Sequence, residues 1–313
     1  MTLPAQIDSL ERAELPARPL HLAIGMFDGV HLGHRSVIDS AVRSARADEA
    51  LAGVLTFWPH PSALLRPGQA TPLIQDAALK SRMLIALGVD VVITQTFTTE
   101  VAALAAADFL PWLRRRLPGL VALYVGENFR FGRGRQGDVP ALIAAGKELA
   151  IRVFSAARVS LDGEPISSTG IRGLLTEGKI AAANARLGYH YSAEGVVAPG
   201  KRLGRTLGFP TLNVPWAPDL RPRYGVYAVR AARAGGTEWH PAVANYGLRP
   251  TVEAATEPRL EAHLLGPCSF AAGDAVRVEW LSFLRAEMKF ANVDELREQI
   301  GRDREAAAAF FGR

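Results

Sequence analysis

Residues 23–37 read AIGMFDGVHLGHRSV. An apolar run ends in Gly-Met-Phe-Asp-Gly, and His31 and His34 follow three positions apart. This is how a buried strand hands over to a helix, not how a strand normally finishes. If the helix begins near His31, the two histidines share a face of its first turn. Backbone N–H groups and the positive end of the helix dipole favour an anion such as phosphate at that point. In open parallel sheets ligands lie outside the carboxyl ends of strands, so the end of this first strand is a candidate site.

Working outward, strand-like apolar runs recur as HLAIG (21–25), GVLTFW (53–58), VDVVITQTF (89–97), VALYVG (121–126) and IRVFSA (151–156). Stretches such as SVIDSAVRSARADEA and AADFLPWLRRRL separate them. Continuous apolar strands alternating with helices predict a parallel, Rossmann-like sheet covered on both faces. Near residue 190 the rhythm changes. AEGVVA, FPTLNV, GVYAVRA, PAVANYG, RLEAHLL and AVRVEWLSF come close together, punctuated by Gly, Pro and Asn, as in a small antiparallel barrel or sandwich. One helix closes the chain, with Asn292 and Glu295 as a capping-box-like pair. The helical GIRGLLTEG and KIAAANARLG join the halves, which places the domains at 1–187 and 188–313.

Bulk properties narrow the class. The chain has 313 residues, 49% hydrophobic and 21% charged, which is ordinary for a globular protein of about two domains. No apolar run reaches the length of a membrane span, and the acidic, proline-containing N-terminus lacks an apolar signal core. A lone cysteine, Cys268, permits no internal disulfide and fits a reducing cytoplasm. A net charge of +5 favours anionic partners without demanding nucleic acid.

Two glycine patterns mislead. GRGRQG (132–137) satisfies G-x-G-x-x-G, which would suggest a nicotinamide oxidoreductase, but it follows the fourth strand and does not open a helix after the first. GLLTEGKI (173–180) has Ile180 where a phosphate loop carries Ser or Thr, so Gly178 reads as a helix end.

Gly29 and Gly33 let backbone and ligand approach closely, and Asp28 can order the loop or contact a ribose or a metal. A zinc site built on His31, His34 and Asp28, and a plain packed or capping histidine pair, are the alternatives. GMFDGVHLGH resembles the signature of the HxGH nucleotidyltransferases. TFWPHP (56–61), VGENFRFGRGRQGD (125–138) and ISSTGIR (166–172) follow in the order found in the adenylyltransferase half of prokaryotic bifunctional riboflavin kinase/FAD synthetases. The resemblance implies that an FMN phosphate attacks the α-phosphate of ATP, with His31 and His34 on the ATP phosphates. Gly25, Phe27, Asp28 and Gly33 would line that site, and Ser168, Thr169 and Arg172 would hold the phosphates from the far side. His60, Asn128, Phe129 and Arg130 would meet the flavin. Ser and Thr at a helix start can cap it and bind phosphate, Arg172 can add a bidentate contact, and Phe129 and Phe131 can offer a stacking face.

In the second half, Gly200, Lys201, Gly204 and Gly208 belong to a basic, glycine-spaced loop suited to phosphate oxygens. Thr211 and Asn213 share a strand face, and their oxygens suit Mg²⁺. GRTLGFPTLN, with YGVYAV, ANYGLRPT and LEAHLL after it, resembles the riboflavin kinase module. That resemblance implies Thr211 and Asn213 on Mg-ATP and Glu261 as the general base for the riboflavin 5′-hydroxyl; a plain outward-facing strand glutamate is the rival reading. It also places Arg285, Glu287 and Phe290 near the flavin. Four departures from the family pattern stand out: Trp58, Asn128, Gly170, and the stretch 266–273 after LEAHLL. The last leaves an adenylyltransferase with an impaired kinase as an alternative. The expected partners are riboflavin, FMN and ATP, with no nucleic acid or membrane, for a cytoplasmic monomer or weak homo-oligomer.

Overall fold

The computed structural model describes residues 6–199, 211–248, 258–267 and 270–312. The chain divides into two compact units, Met1–Ser168 and Thr169–Arg313.

The first unit is built on β1 (Gln6–Ile7), β2 (Leu20–Ile24), β3 (Leu51–Trp58), β4 (Val91–Thr96), β5 (Leu120–Gly126) and β6 (Arg152–Ala156). They form one parallel sheet in the order β1-β4-β3-β2-β5-β6. All five residues of β2 are buried, as a central strand covered on both faces requires. Leu20, Leu22 and Ile24 pack on the side of α5 (Ala106–Arg116) and α6 (Val139–Glu148), with Phe109, Leu113 and Leu142. Ala23 faces the other way, toward Val37, Ile38 and Ala41 of α1 (Leu32–Ala47) and Leu84 of α3 (Ala77–Ala86). Short helices α2 (Pro61–Leu65) and α4 (Thr99–Ala103) and the hairpin β7 (Ser160–Leu161)/β8 (Glu164–Pro165) complete the unit. From β2 the chain winds first toward β3 and β4 and then crosses to β5, so the switch point lies between β2 and β5. The AIGMFDGVHLGH stretch leaves the sheet at that point.

The second unit opens with most of α7 (Ser168–Thr176) and with α8 (Ile180–Leu187). Gly178, at φ 78°, follows the end of α7. Six strands follow: β9 (Ser192–Val196), β10 (Leu212–Pro215), β11 (Gly225–Arg233), β12 (His240–Gly247), β13 (Arg259–Leu264) and β14 (Ala275–Ala286). They pair antiparallel in the order β10-β13-β12-β11-β14-β9. Ala198, just beyond β9, bridges Asn213 of β10 through a 2.8 Å backbone bond, which nearly closes the sheet into a barrel. Trp280, Tyr227 and Tyr246 fill its interior with no exposed surface. The final helix, α9 (Val293–Phe310), starts at Asn292, whose side chain accepts from the Glu295 amide at 2.9 Å. The Glu295 carboxylate returns a bond to the Ala291 amide at 3.1 Å. Among the described residues no helix is long and apolar enough to cross a membrane.

Candidate active sites

The first site grows from the loop between β2 and α1. Phe27 (φ 49°), Gly29 (φ 84°) and Val30 (φ 35°) all adopt left-handed backbone. For a phenylalanine and a β-branched valine this is costly, so the loop must be held from outside. The Asp28 carboxylate accepts from the Ile74 amide with both oxygens, at 3.0 and 3.3 Å, and its carbonyl accepts from Ser168 Oγ at 2.9 Å. These bonds let Asp28 order the loop.

His31 is the N-cap of α1, and its Nδ1 accepts from the His34 amide at 3.3 Å. The two imidazoles stack with centroids 3.6 Å apart and planes at 17°. Phe27 meets His34 edge-on at 5.3 Å. His31 is buried and His34 half-buried. A Cβ on Gly33 would come within 3.2 Å of the His31 ring, and one on Gly25 within 3.0 Å of the Phe27 ring. Both glycines therefore keep the rings where they are. Among the described residues no group of three His, Cys, Asp or Glu side chains is placed to hold a metal ion.

Other predicted residues are distributed around this loop's unit and its border. His60 caps α2, with Nδ1 accepting from the Ser62 amide at 3.1 Å. Asn128 is exposed, and with its amide turned so that the oxygen faces Arg158 it accepts from Arg158 Nε at 3.2 Å. The expected stacking face is altered: Phe131 is buried, 4.9 Å from Phe109, while Phe129 lies parallel to it at 5.7 Å and is half-buried. Phe131 thus belongs to the core, leaving Phe129 and the exposed Arg130 as surface groups. Arg130 reaches the Asp138 carboxylate at 3.5 Å. GRGRQG forms a short 3₁₀ turn, and α6 starts only at Val139 with Asp138 as its cap, so this is not a dinucleotide-binding turn. Ser168 and Thr169 are the first two residues of α7 rather than preceding it, and Arg172 sits half-buried one turn on.

In the second unit, strand register assembles what sequence spacing only suggested. Glu261 on β13 lies directly opposite Asn213 on β10 and Asn245 on β12. Directly opposed residues in an antiparallel pair have Cβ atoms about 4.5–5.5 Å apart. Leu260 and Ala262 are fully buried on the other face, and Leu212 and Val214 likewise flank Asn213. Thr211 and Asn213 are half-buried on the same outer side. Register thus puts the Asn213 amide and the Glu261 carboxylate side by side on one polar face of the sheet. Gly200, Lys201, Gly204 and Gly208 lie outside the described residues, as does Cys268.

Arg285 is engaged by α9: Nε and one terminal nitrogen bond the two Asp303 oxygens at 2.7 and 2.6 Å. Burial pushes the Glu287 carboxyl up from its ordinary range, against the pull of the Arg285 charge. The residue is exposed as a whole, but its carboxylate lies where a Cβ on Gly247 would stand. Phe290 is half-buried. Sequence reasoning missed Asn245, Asp303, Thr56 and Lys80. A lysine on the buried face of α3, four residues before Leu84, was a signal in principle; the others needed register or packing.

Comparisons with known proteins agree with both halves. A family model for FAD synthetase matches residues 15–170, and one for riboflavin kinase matches residues 187–311. The chain is 38% identical over 300 residues to the bifunctional riboflavin kinase/FMN adenylyltransferase of Escherichia coli K12, covering 96% of this chain and 95% of that one. It is 35% identical to the protein of that name from Listeria monocytogenes, covering 93% and 92%. A crystal structure described as a macrolide-efflux protein from Streptococcus pneumoniae matches with a TM-score of 0.85 at 27% identity, over 96% of this chain and 97% of that one.

Proposed function

The chain belongs to the bifunctional riboflavin kinase/FMN adenylyltransferase family, and from that premise we propose how its residues divide the work. It is a transferase that phosphorylates riboflavin to FMN and then transfers an adenylyl group to FMN, giving FAD. Residues 1–187 carry adenylyl transfer and residues 188–313 the kinase, with ATP as donor in both. The enzyme works on small molecules in the cytoplasm, as a monomer or weak homo-oligomer.

The observation that carries this reading is the stacked imidazole pair at the N-terminus of α1, beside the switch point of the sheet. In the adenylyl step an FMN phosphate oxygen bonds to the α-phosphorus of ATP. The α–β bridging P–O bond breaks, and pyrophosphate leaves with the electron pair. His31, His34 and the amides of the first turn hold the charge that builds on the α-phosphate. Losing one preorganised donor of this kind costs about 3–4 kcal/mol of transition-state stabilisation. Gly25, Phe27, Asp28 and Gly33 shape the loop. Ser168, Thr169 and Arg172 are assigned to ATP phosphates through the family motif, and His60, Asn128, Phe129 and Arg130 to the flavin.

In the kinase step the riboflavin 5′-oxygen bonds to the γ-phosphorus of ATP, and ADP departs. Glu261 accepts the hydroxyl proton, a contribution of about 10²–10⁴ in rate for a positioned carboxylate. Thr211 and Asn213 would hold Mg²⁺, which would supply neutralisation of phosphate charge. Gly200, Lys201, Gly204 and Gly208 cradle the phosphates, and Arg285, Glu287 and Phe290 border the flavin. Asn213 opposite Glu261 supports this grouping over that of an isolated strand glutamate.

Purified protein incubated with riboflavin, ATP and Mg²⁺, with the flavins separated by chromatography, should yield FMN and then FAD. FAD formed only from supplied FMN would mean that the altered stretch after Leu265 has silenced the kinase. No FAD from either substrate would overturn the assignment. Glu261→Ala should abolish FMN formation and spare FAD formation from FMN; His31→Ala should do the reverse.

A further inference from the structure

Lys80 lies on α3, outside every motif that carries the assignment, and is only 5% exposed. Its ammonium donates to the Met26 carbonyl at 3.2 Å and to Thr56 Oγ1 at 3.0 Å. Thr56 donates its own hydroxyl proton to the same carbonyl at 3.0 Å. Met26 is the residue from which the chain enters the left-handed turns of Phe27, Gly29 and Val30. The next external tie, Asp28 to the Ile74 amide, comes from the segment leading into α3. Burial pulls the Lys80 pKa down to about 8, while the Asp28 charge works in the opposite direction. A buried ammonium is a costly way to hold a carbonyl if stability is all that is gained.

We propose that Lys80 is a positioning residue for adenylyl transfer: with Thr56 it clamps the Met26 carbonyl, and so holds the Phe27–Val30 turn in the shape that places His31 and His34. The clamp ties together three segments far apart in sequence: the end of β2, the TFWPHP strand and α3. It rests on the reading that the histidine loop serves FAD formation. A residue placed this way acts on the transition state through the geometry of others, where a shift of about 1 Å can cost 10²-fold in rate.

The test is FAD formation from supplied FMN and saturating ATP by the full-length protein, with riboflavin phosphorylation measured alongside. Lys80→Met should lower the adenylyl-transfer kcat by about 10²-fold with KM for FMN moved less than about twofold and riboflavin phosphorylation unchanged. Thr56→Val should lower kcat in the same direction, Thr56→Ser should restore it, and the double variant with Lys80→Met should lose no more than the worse single one, since both act through one carbonyl. An unchanged kcat in Lys80→Met, or a raised KM with kcat intact, would overturn the proposal. Should Lys80→Met fail to fold, equal activity of Thr56→Val and Thr56→Ser would overturn it as well. Wild-type protein that makes no FAD would instead remove the functional reading on which it rests.

Discussion

The ion pair between β14 and α9 allows a sharp test of how the second unit is held together. Asp303 is buried to 9% side-chain exposure and Arg285 to 21%. Both guanidinium–carboxylate contacts are short, at 2.7 and 2.6 Å, and Gln299 adds a third bond to the same carboxylate at 2.8 Å. Asp303→Ala removes both acceptor oxygens, and with them all three bonds, and leaves a guanidinium without its counter-charge on a mostly covered surface. Breaking a buried pair from one side costs about 3–5 kcal/mol; because Arg285 retains some solvent, the lower end, about 3 kcal/mol, applies. For a unit of this size that is a fall in melting temperature of about 6–12 °C. Urea denaturation followed by barrel tryptophan fluorescence would measure it, since Trp280 and Trp216 lie within 5.5 Å of each other inside this unit. A loss below about 1 kcal/mol would refute the reasoning and class the fork with solvated surface pairs. Riboflavin phosphorylation should fall with the loss, because Arg285 and Glu287 leave the same strand end, whereas FAD formation from FMN should persist.

Three further outcomes are expected. Burial lowers the His21 pKa below its ordinary 6.5, outweighing the pull of Asp48; the unfolded chain therefore binds the proton more readily, and the first unit should lose stability as pH falls through 6.5, a slope that His21→Gln should flatten in urea titrations at pH 7.5 and 5.5. Gly137→Ala would bring a Cβ within 2.6 Å of the Phe131 ring, so overpacking should cost about 1–3 kcal/mol and reduce FAD formation more than FMN formation; unchanged thermal stability would show the ring free to move. Gly247→Ala would displace the Glu287 carboxylate, a flexible tip, so KM for riboflavin should rise with little change in melting temperature, and an unaltered KM would remove Glu287 from the flavin site.

Much of this protein was written locally. The parallel sheet followed from largely apolar runs such as HLAIG and GVLTFW, because a strand buried on both faces leaves no regular polar alternation. The barrel followed from short runs broken by Gly, Pro and Asn, and the cap of α9 from Asn292 and Glu295, three residues apart. His31 and His34 declared themselves because strand end, glycines and helix start adjoin in sequence. What the tertiary structure alone decided involves residues far apart along the chain. Strand register put Asn213 opposite Glu261 and Asn245. Packing sent Phe131 into the core against Phe109 while leaving Arg130 outside. Arg285 found Asp303 only once α9 lay on the barrel, and Lys80 reached Met26 only across the width of α3. Local pattern reports the periodicity of burial, whereas the pairing of a charge or a carbonyl with its distant partner depends on where separate elements come to rest in space.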